Sequence, residues 1–110
     1  MKIYSRENFM KLPAGTIYAK GKPWYFEELI VKGETFGNDW ATLQLVDIKS
    51  DGTEDWIEKL ETMKEIPASS YPINDAYGRD GCFDNYDIFL VYEKNDLEVL
   101  RGYIDCAMTI

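Results

Sequence analysis

The chain has 110 residues, 45% apolar and 15% aromatic, and a formal charge of −8 from twenty acids and twelve bases. That length is one domain's worth of chain, and that apolar content supports a packed core rather than disorder. Histidine is absent, which removes histidine metal sites, Ser-His-Asp and Cys-His nucleophiles and imidazole acid–base work; no apolar run is long enough to span a bilayer.

Ser5 is placed to cap a short helix over Arg6–Leu12, with Phe9 and Leu12 on its inner side and Pro13-Ala14-Gly15 ending it. Thr16–Lys20, rich in β-branched and aromatic types, predicts a strand. Gly21-Lys22-Pro23 then predicts a turn, and Trp24–Lys32 a second strand that completes a hairpin. The run Trp24-Tyr25-Phe26 is expected to serve as core and cross-strand packing. Gly33 and Gly37-Asn38 bracket a further turn. Trp40–Ile48 follows as a third strand, with Leu43 and Leu45 on one face and Thr42 and Gln44 on the other.

Thr53 is expected to cap a helix that runs to Glu65 and stops before Pro67. Glu54 and Asp55 fall in its first turn, where the helix dipole favours acids. Ile57, Leu60 and Lys64 share one stripe, flanked by Trp56 and Met63. Residues 67–86 show no periodicity, and a loop of about twenty residues in a small domain is often functional. Asp87–Glu93 predicts a strand apolar on both faces, hence central and covered on both sides. Asn95 and Glu98 match a capping box. They open a last helix over Asp96–Ala107 whose buried stripe is Leu97, Leu100, Ile104 and Ala107. The expected whole is a single α+β domain over residues 1–110. Its mainly antiparallel sheet has about four strands, with two to three helices packed on one face.

Charge is uneven. Residues 51–98 hold thirteen acids and four bases, whereas residues 1–50 hold six acids and seven bases. An acidic chain repels nucleic-acid backbones and is drawn to basic protein surfaces. No direct nucleic-acid contact and no membrane association are therefore expected. Two cysteines, Cys82 and Cys106, are too few for a disulfide scaffold. The first residues lack the apolar core of a signal peptide, so a cytoplasmic location and two free, buried thiols are expected.

Two elements carry the candidate partner-binding residues. The loop before the last strand offers Asp75, Tyr77, Asp80, Asp84, Tyr86 and Asp87. Acids interleaved with aromatics suit an interface, where aromatic anchors supply affinity and charge supplies steering. The same aspartates are hard oxygen donors, so a divalent cation over residues 74–87 is the alternative, though the spacing is not that of an EF-hand. They also suit a purely structural loop that bonds its own turns. The second helix offers Glu54, Glu58 and Glu61 on one acidic stripe with Asp55 and Glu65. Neighbouring carboxylates on a helix stand about 5–6 Å apart, near the spacing of successive phosphates. Gly78-Arg79-Asp80-Gly81 has Gly-x-x-Gly spacing, but its setting is acidic, unlike an RNA clamp. Cys82, set among acids, lacks an activating environment for catalysis. No catalytic residue, no metal ligand and no cofactor are assigned.

The stretches Leu12-Pro13-Ala14-Gly15-Thr16, Gly21-Lys22-Pro23-Trp24, Ser70-Tyr71-Pro72-Ile73-Asn74, Gly78-Arg79-Asp80-Gly81-Cys82-Phe83-Asp84 and Phe89-Leu90-Val91-Tyr92-Glu93 resemble a family of small acidic proteins. That family belongs to phages and mobile elements of Gram-positive bacteria. The resemblance implies a genetic context in which anti-CRISPR proteins occur, several of which present carboxylates to the basic channel of a type II RNA-guided nuclease. It supplies no motif of known chemistry. The resulting expectation is a non-enzymatic inhibitor or binding protein that blocks such a nuclease through an acidic surface. The alternatives are a metal-dependent or enzymatic phage accessory protein using the loop at 74–87, and a structural or regulatory phage protein.

Overall fold

A computed structural model of the chain describes residues 1–22, 24–81 and 87–110. Its elements in chain order are β1 Lys2–Ser5, α1 Arg6–Met10, β2 Ile17–Lys20, β3 Ile30–Phe36, β4 Asp39–Gln44, α2 Thr53–Glu65, β5 Gly78–Arg79, β6 Ile88–Val91 and α3 Lys94–Met108. The strands form one antiparallel sheet in the order β1-β6-β2-β3-β4-β5. The α+β class and antiparallel sheet match expectation, with six strands rather than about four. The two extra strands are short and made by distant pairing. β1 exists because residues 2–5 lie against residues 88–91, and β5 because Gly78 and Arg79 lie against Thr42 and Ala41. Neither has enough local pattern to announce itself.

The core is aromatic. α1 starts where the Ser5 hydroxyl accepts the Asn8 amide, and it sets Phe9 over the sheet. Phe9 stacks on Phe89 at 4.3 Å between ring centroids and meets Tyr18 at 4.5 Å and Trp40 at 5.1 Å. The Trp40 indole N–H donates to the Tyr18 hydroxyl at 3.0 Å, so both polar tips are satisfied inside. Ile30 and Val91 complete the buried cluster, with Tyr4, Met10 and Leu12 at its edge.

The sheet curls around this core. Lys20 on β2 reaches Asp80 just beyond β5 at 3.3 Å, although β5 is three strands away. On a flat sheet three strand spacings are about 14 Å, beyond the reach of two side chains. β3 and β4 bend through a register shift between Lys32 and Thr35 and turn at Gly37-Asn38, where Gly37 has φ +60°. A glycine first in a two-residue hairpin turn matches the twist of the strands. Gly33 lies inside β3 rather than in a turn, and glycine is needed there because a methyl would meet Ala41 Cβ at 2.7 Å.

Several local expectations are corrected. The strand expected over Trp24–Lys32 begins only at Ile30, and residues 24–26 form an exposed turn bridged at Gly21–Phe26. Gly52, not Thr53, precedes α2, with φ +131° that suits glycine. The capping box of α3 is Glu93 with Asp96, two residues earlier than expected but with the same spacing. Among the described residues, α1 is the helix that packs closely on the sheet, against β1 and β6. α2 and α3 bury no residue fully: Ile57 is 48% exposed, and Ile104 on the expected buried stripe is 58% exposed. β6 is interior to the sheet but is covered on the core side only. Cys106 is exposed, not buried, and Cys82 lies outside the described residues. No helix among the described residues is long and apolar enough to cross a membrane.

Candidate functional site

The charged residues divide into an enclosed set and an open set. Inside the curl, Lys20 Nζ lies 3.3 Å from Asp80 Oδ1 and 3.2 Å from Asp87 Oδ2, and Arg6 approaches Asp80 at 3.9 Å. These side chains are at most about a tenth exposed, and two cations face two carboxylates. Arg6 also stacks over the Trp40 ring at 4.6 Å and donates to the Asn38 carbonyl. Asp80 and Asp87 thus help close the sheet through these ion pairs. The Lys20 ammonium stands between the two carboxylates.

Asp39 repeats this logic. Its side chain is 1% exposed and accepts from Arg79 Nε at 3.0 Å and from the Trp40 and Gly81 amides at 2.8 and 3.2 Å. Burial alone would push its carboxyl up. The two amides and the Arg79 guanidinium outweigh that and hold it below the usual carboxylate range. Lys32 is buried at 1% exposure and donates to the Gly33 carbonyl and, at 2.7 Å, to the Thr35 hydroxyl. Burial pushes its ammonium down, and Glu34 only partly offsets this.

The open set lies elsewhere. Asp75 is exposed and paired with Lys49 at 3.1 Å. Tyr77 is 55% exposed, with its ring edge beside Gly33. Glu54, Glu58 and Glu61 are exposed along α2, while the neighbouring Asp55 is bound by Lys59 at 2.8 Å, which lowers its pKa. Asp84 and Tyr86 lie outside the described residues. The residues expected as one acidic loop therefore separate into enclosed Asp80 and Asp87 and exposed Asp75 and Tyr77.

Sequence reasoning assigned three exposed aromatics to the core, among them Trp24, the most exposed aromatic of the described residues. Trp24 is 91% exposed, Tyr25 62% and Phe26 42%. They turn back after β2, where the Gly21 amide donates to the Ile88 carbonyl at 2.8 Å and the Lys22 amide to the Tyr25 carbonyl at 2.7 Å. Gly21-Lys22 before the run was the available signal. A turn there releases the aromatics from the strand alternation that would have buried alternate rings.

An open groove of about 410 Å³ adjoins the turn, lined by Tyr25, Phe26, Glu27, Glu28 and Gln44. A second, of about 600 Å³, begins at Leu45 and is lined by Ile48, Trp56 of α2, Tyr71 and Ile73. The two grooves share no lining residue: the first adjoins the aromatic turn and the second adjoins α2 at Trp56. Glu27 and Glu28 line the first groove, whereas Glu54, Glu58 and Glu61 lie on the side of α2 away from Trp56. No protein-family profile, curated protein or solved structure matches this chain.

Proposed function

We propose that the chain is a non-catalytic binding protein that docks on a basic surface of another protein. Trp24, Tyr25 and Phe26 act as anchors with Glu27 and Glu28 beside them, and Glu54, Glu58 and Glu61 on α2 add longer-range attraction. The observation that carries this reading is Trp24, a large aromatic 91% exposed beside an apolar groove in a chain of charge −8. A solvent-facing indole contributes nothing to the core, whereas desolvating it against a partner gives the strongest kind of interface contact. Acids around such an anchor exclude anionic partners and speed encounter with basic ones. The resemblance to small acidic proteins of phages and mobile elements makes a type II RNA-guided nuclease the partner to test first, bound through its basic nucleic-acid channel.

The experiment is a titration of the full chain against such a nuclease, with DNA cleavage measured in parallel. Trp24→Ala is expected to weaken binding by roughly 10-fold or more while leaving the melting temperature unchanged. Raising salt should weaken binding further, because exposed charge pairs are screened over about 8–10 Å. Undiminished cleavage at saturating protein would remove the nuclease as partner. Binding that ignores Trp24→Ala would remove the aromatic turn as the anchor.

A further inference from the structure

The sheet has a second face that α1 does not cover. Ile3 pairs with Leu90 and Leu90 with Ala19, a row across β1, β6 and β2. Ile17 pairs with Val31 and Val31 with Leu43, a row across β2, β3 and β4. These six side chains alternate with Tyr4, Phe89, Val91, Tyr18 and Ile30, which face the core, so they point to the convex side of the curl. Not one is charged. Ile3 is 51% exposed, and Leu90, Ile17, Val31 and Leu43 are each half-buried; only the small Ala19, at 3%, is shielded.

The same chain carries the complementary element. On α3, Leu97, Leu100, Ile104 and Ala107 recur at three-four-three spacing, an apolar seam along one side of a helix. Leu97 and Leu100 are half-buried, and every residue from Arg101 onward is exposed. With α3 held off the sheet, the radius of gyration is 16.0 Å, against about 13 Å for a compact chain of this length.

The geometry points to a dimer in which α3 of each copy lies on the convex sheet face of the other. Two observations select a second copy over other occupants. The first is area. A 15-residue helix is about 22 Å long and about 10 Å wide, and the five strands from β1 to β4 span about 19 Å, so seam and face match in size. One such contact buries on the order of 450 Å² a side, and the reciprocal pair doubles it to the roughly 800 Å² per partner of a stable interface. A helix-to-helix pairing alone stops at half. The second is the entry angle of α3. The Glu93–Asp96 capping box fixes it, and the Met1 ammonium holds the same two carboxylates at 3.5 and 2.8 Å. These contacts pin the start of α3 beside β1, and from there the helix runs clear of its own sheet. The aromatic turn stands at the opposite end of β6, by Ile88, and stays open in such a dimer.

The test is sedimentation equilibrium on the full chain and two variants. Leu100→Glu with Ile104→Glu puts charge on the exposed helix and leaves the core intact. Ile3→Glu with Leu43→Glu puts charge on the sheet face. Wild type is expected to dimerise, and each variant alone to self-associate about 100-fold more weakly or worse, because charge enters an apolar contact. An equimolar mixture of the two should associate more tightly than either variant alone but more weakly than wild type, since one intact helix then meets one intact face while the second contact stays lost. If the face variant melts early, Val31→Thr with Leu43→Thr, both strand formers, supplies the same arm. A wild type that stays monomeric at all concentrations overturns the proposal, as closure of α3 on its own sheet or a dependence on a foreign partner would produce. A face variant that still dimerises alone indicates helix-to-helix pairing, and a helix variant that does so indicates face-to-face pairing. Either result overturns it too.

Discussion

Lys20 shows how a buried charge is tolerated in a chain this acidic. Its ammonium balances Asp80 and Asp87, and Arg6 lies alongside. Removing the cation leaves two carboxylates facing each other in a closed space. Lys20→Met is therefore expected to destabilise the fold by about 3–5 kcal/mol, read from urea titrations, and Lys20→Met with Asp87→Asn should recover part of that. Asp39 gives a pH signature. Its folded pKa is depressed, so the stability it contributes is full above the unfolded value of about 3.9 and is lost as pH falls through the folded value. Thermal melts from neutral to acid pH should show that loss, and Asp39→Asn should flatten it. Lys32 acts at the other end of the scale. Its folded pKa is lowered, so the cost of burying its charge is full at neutral pH and is relieved as pH rises toward about 10.4. Burial raises the Tyr18 pKa, so stability falls once unfolded tyrosine ionises, above about pH 10. Denaturant midpoints should thus climb with pH and then drop, and Lys32→Met should remove the climb.

The elements differ in how firmly their surroundings hold them. β3 and β4 approach so closely at Gly33 that Gly33→Ala must push against Ala41 Cβ and the Tyr77 ring. A loss of about 1–3 kcal/mol is expected in chemical denaturation; no loss would mean the hairpin has slack. α2 is held loosely, so reversing Glu58→Lys and Glu61→Lys should leave the melting temperature within about 1–2 °C while slowing partner association several-fold, as loss of longer-range attraction does. Elements with strong local pattern were legible in sequence. Ser5 announced α1, the apolar run at Ile88–Val91 announced β6, and α2 and α3 were placed within two residues at their starts. What stayed hidden is set by distant partners. β1 and β5 are defined by pairing alone, and Asp80 and Asp87 look like loop acids until the curl brings Lys20 to them. The stripe on α3 was legible as apolar, but periodicity cannot say whether a face is covered within its own chain. Trp24 to Phe26 misled because aromatics favour strands, and here a turn overrode that preference.

Across the whole molecule, the sheet is closed by contacts between the two ends of the sequence. Residues 2–5 pair with 88–91, and Lys20 with Asp80 and Asp87. Such distant pairing slows folding to the millisecond-to-second range, and stopped-flow tryptophan fluorescence should show Trp40 reaching its native signal in that window. The topology also has a consequence on the ribosome. β1 emerges first and has no partner until β6 follows, about 4–17 s later at ordinary translation rates. Through that interval Tyr4, Phe9, Tyr18 and Trp40 lack the Phe89 strand that completes their enclosure. The stretch made while they wait, residues 51–87, carries ten acids and three bases. Its repulsion keeps neighbouring nascent chains on one polysome apart until the last strand arrives.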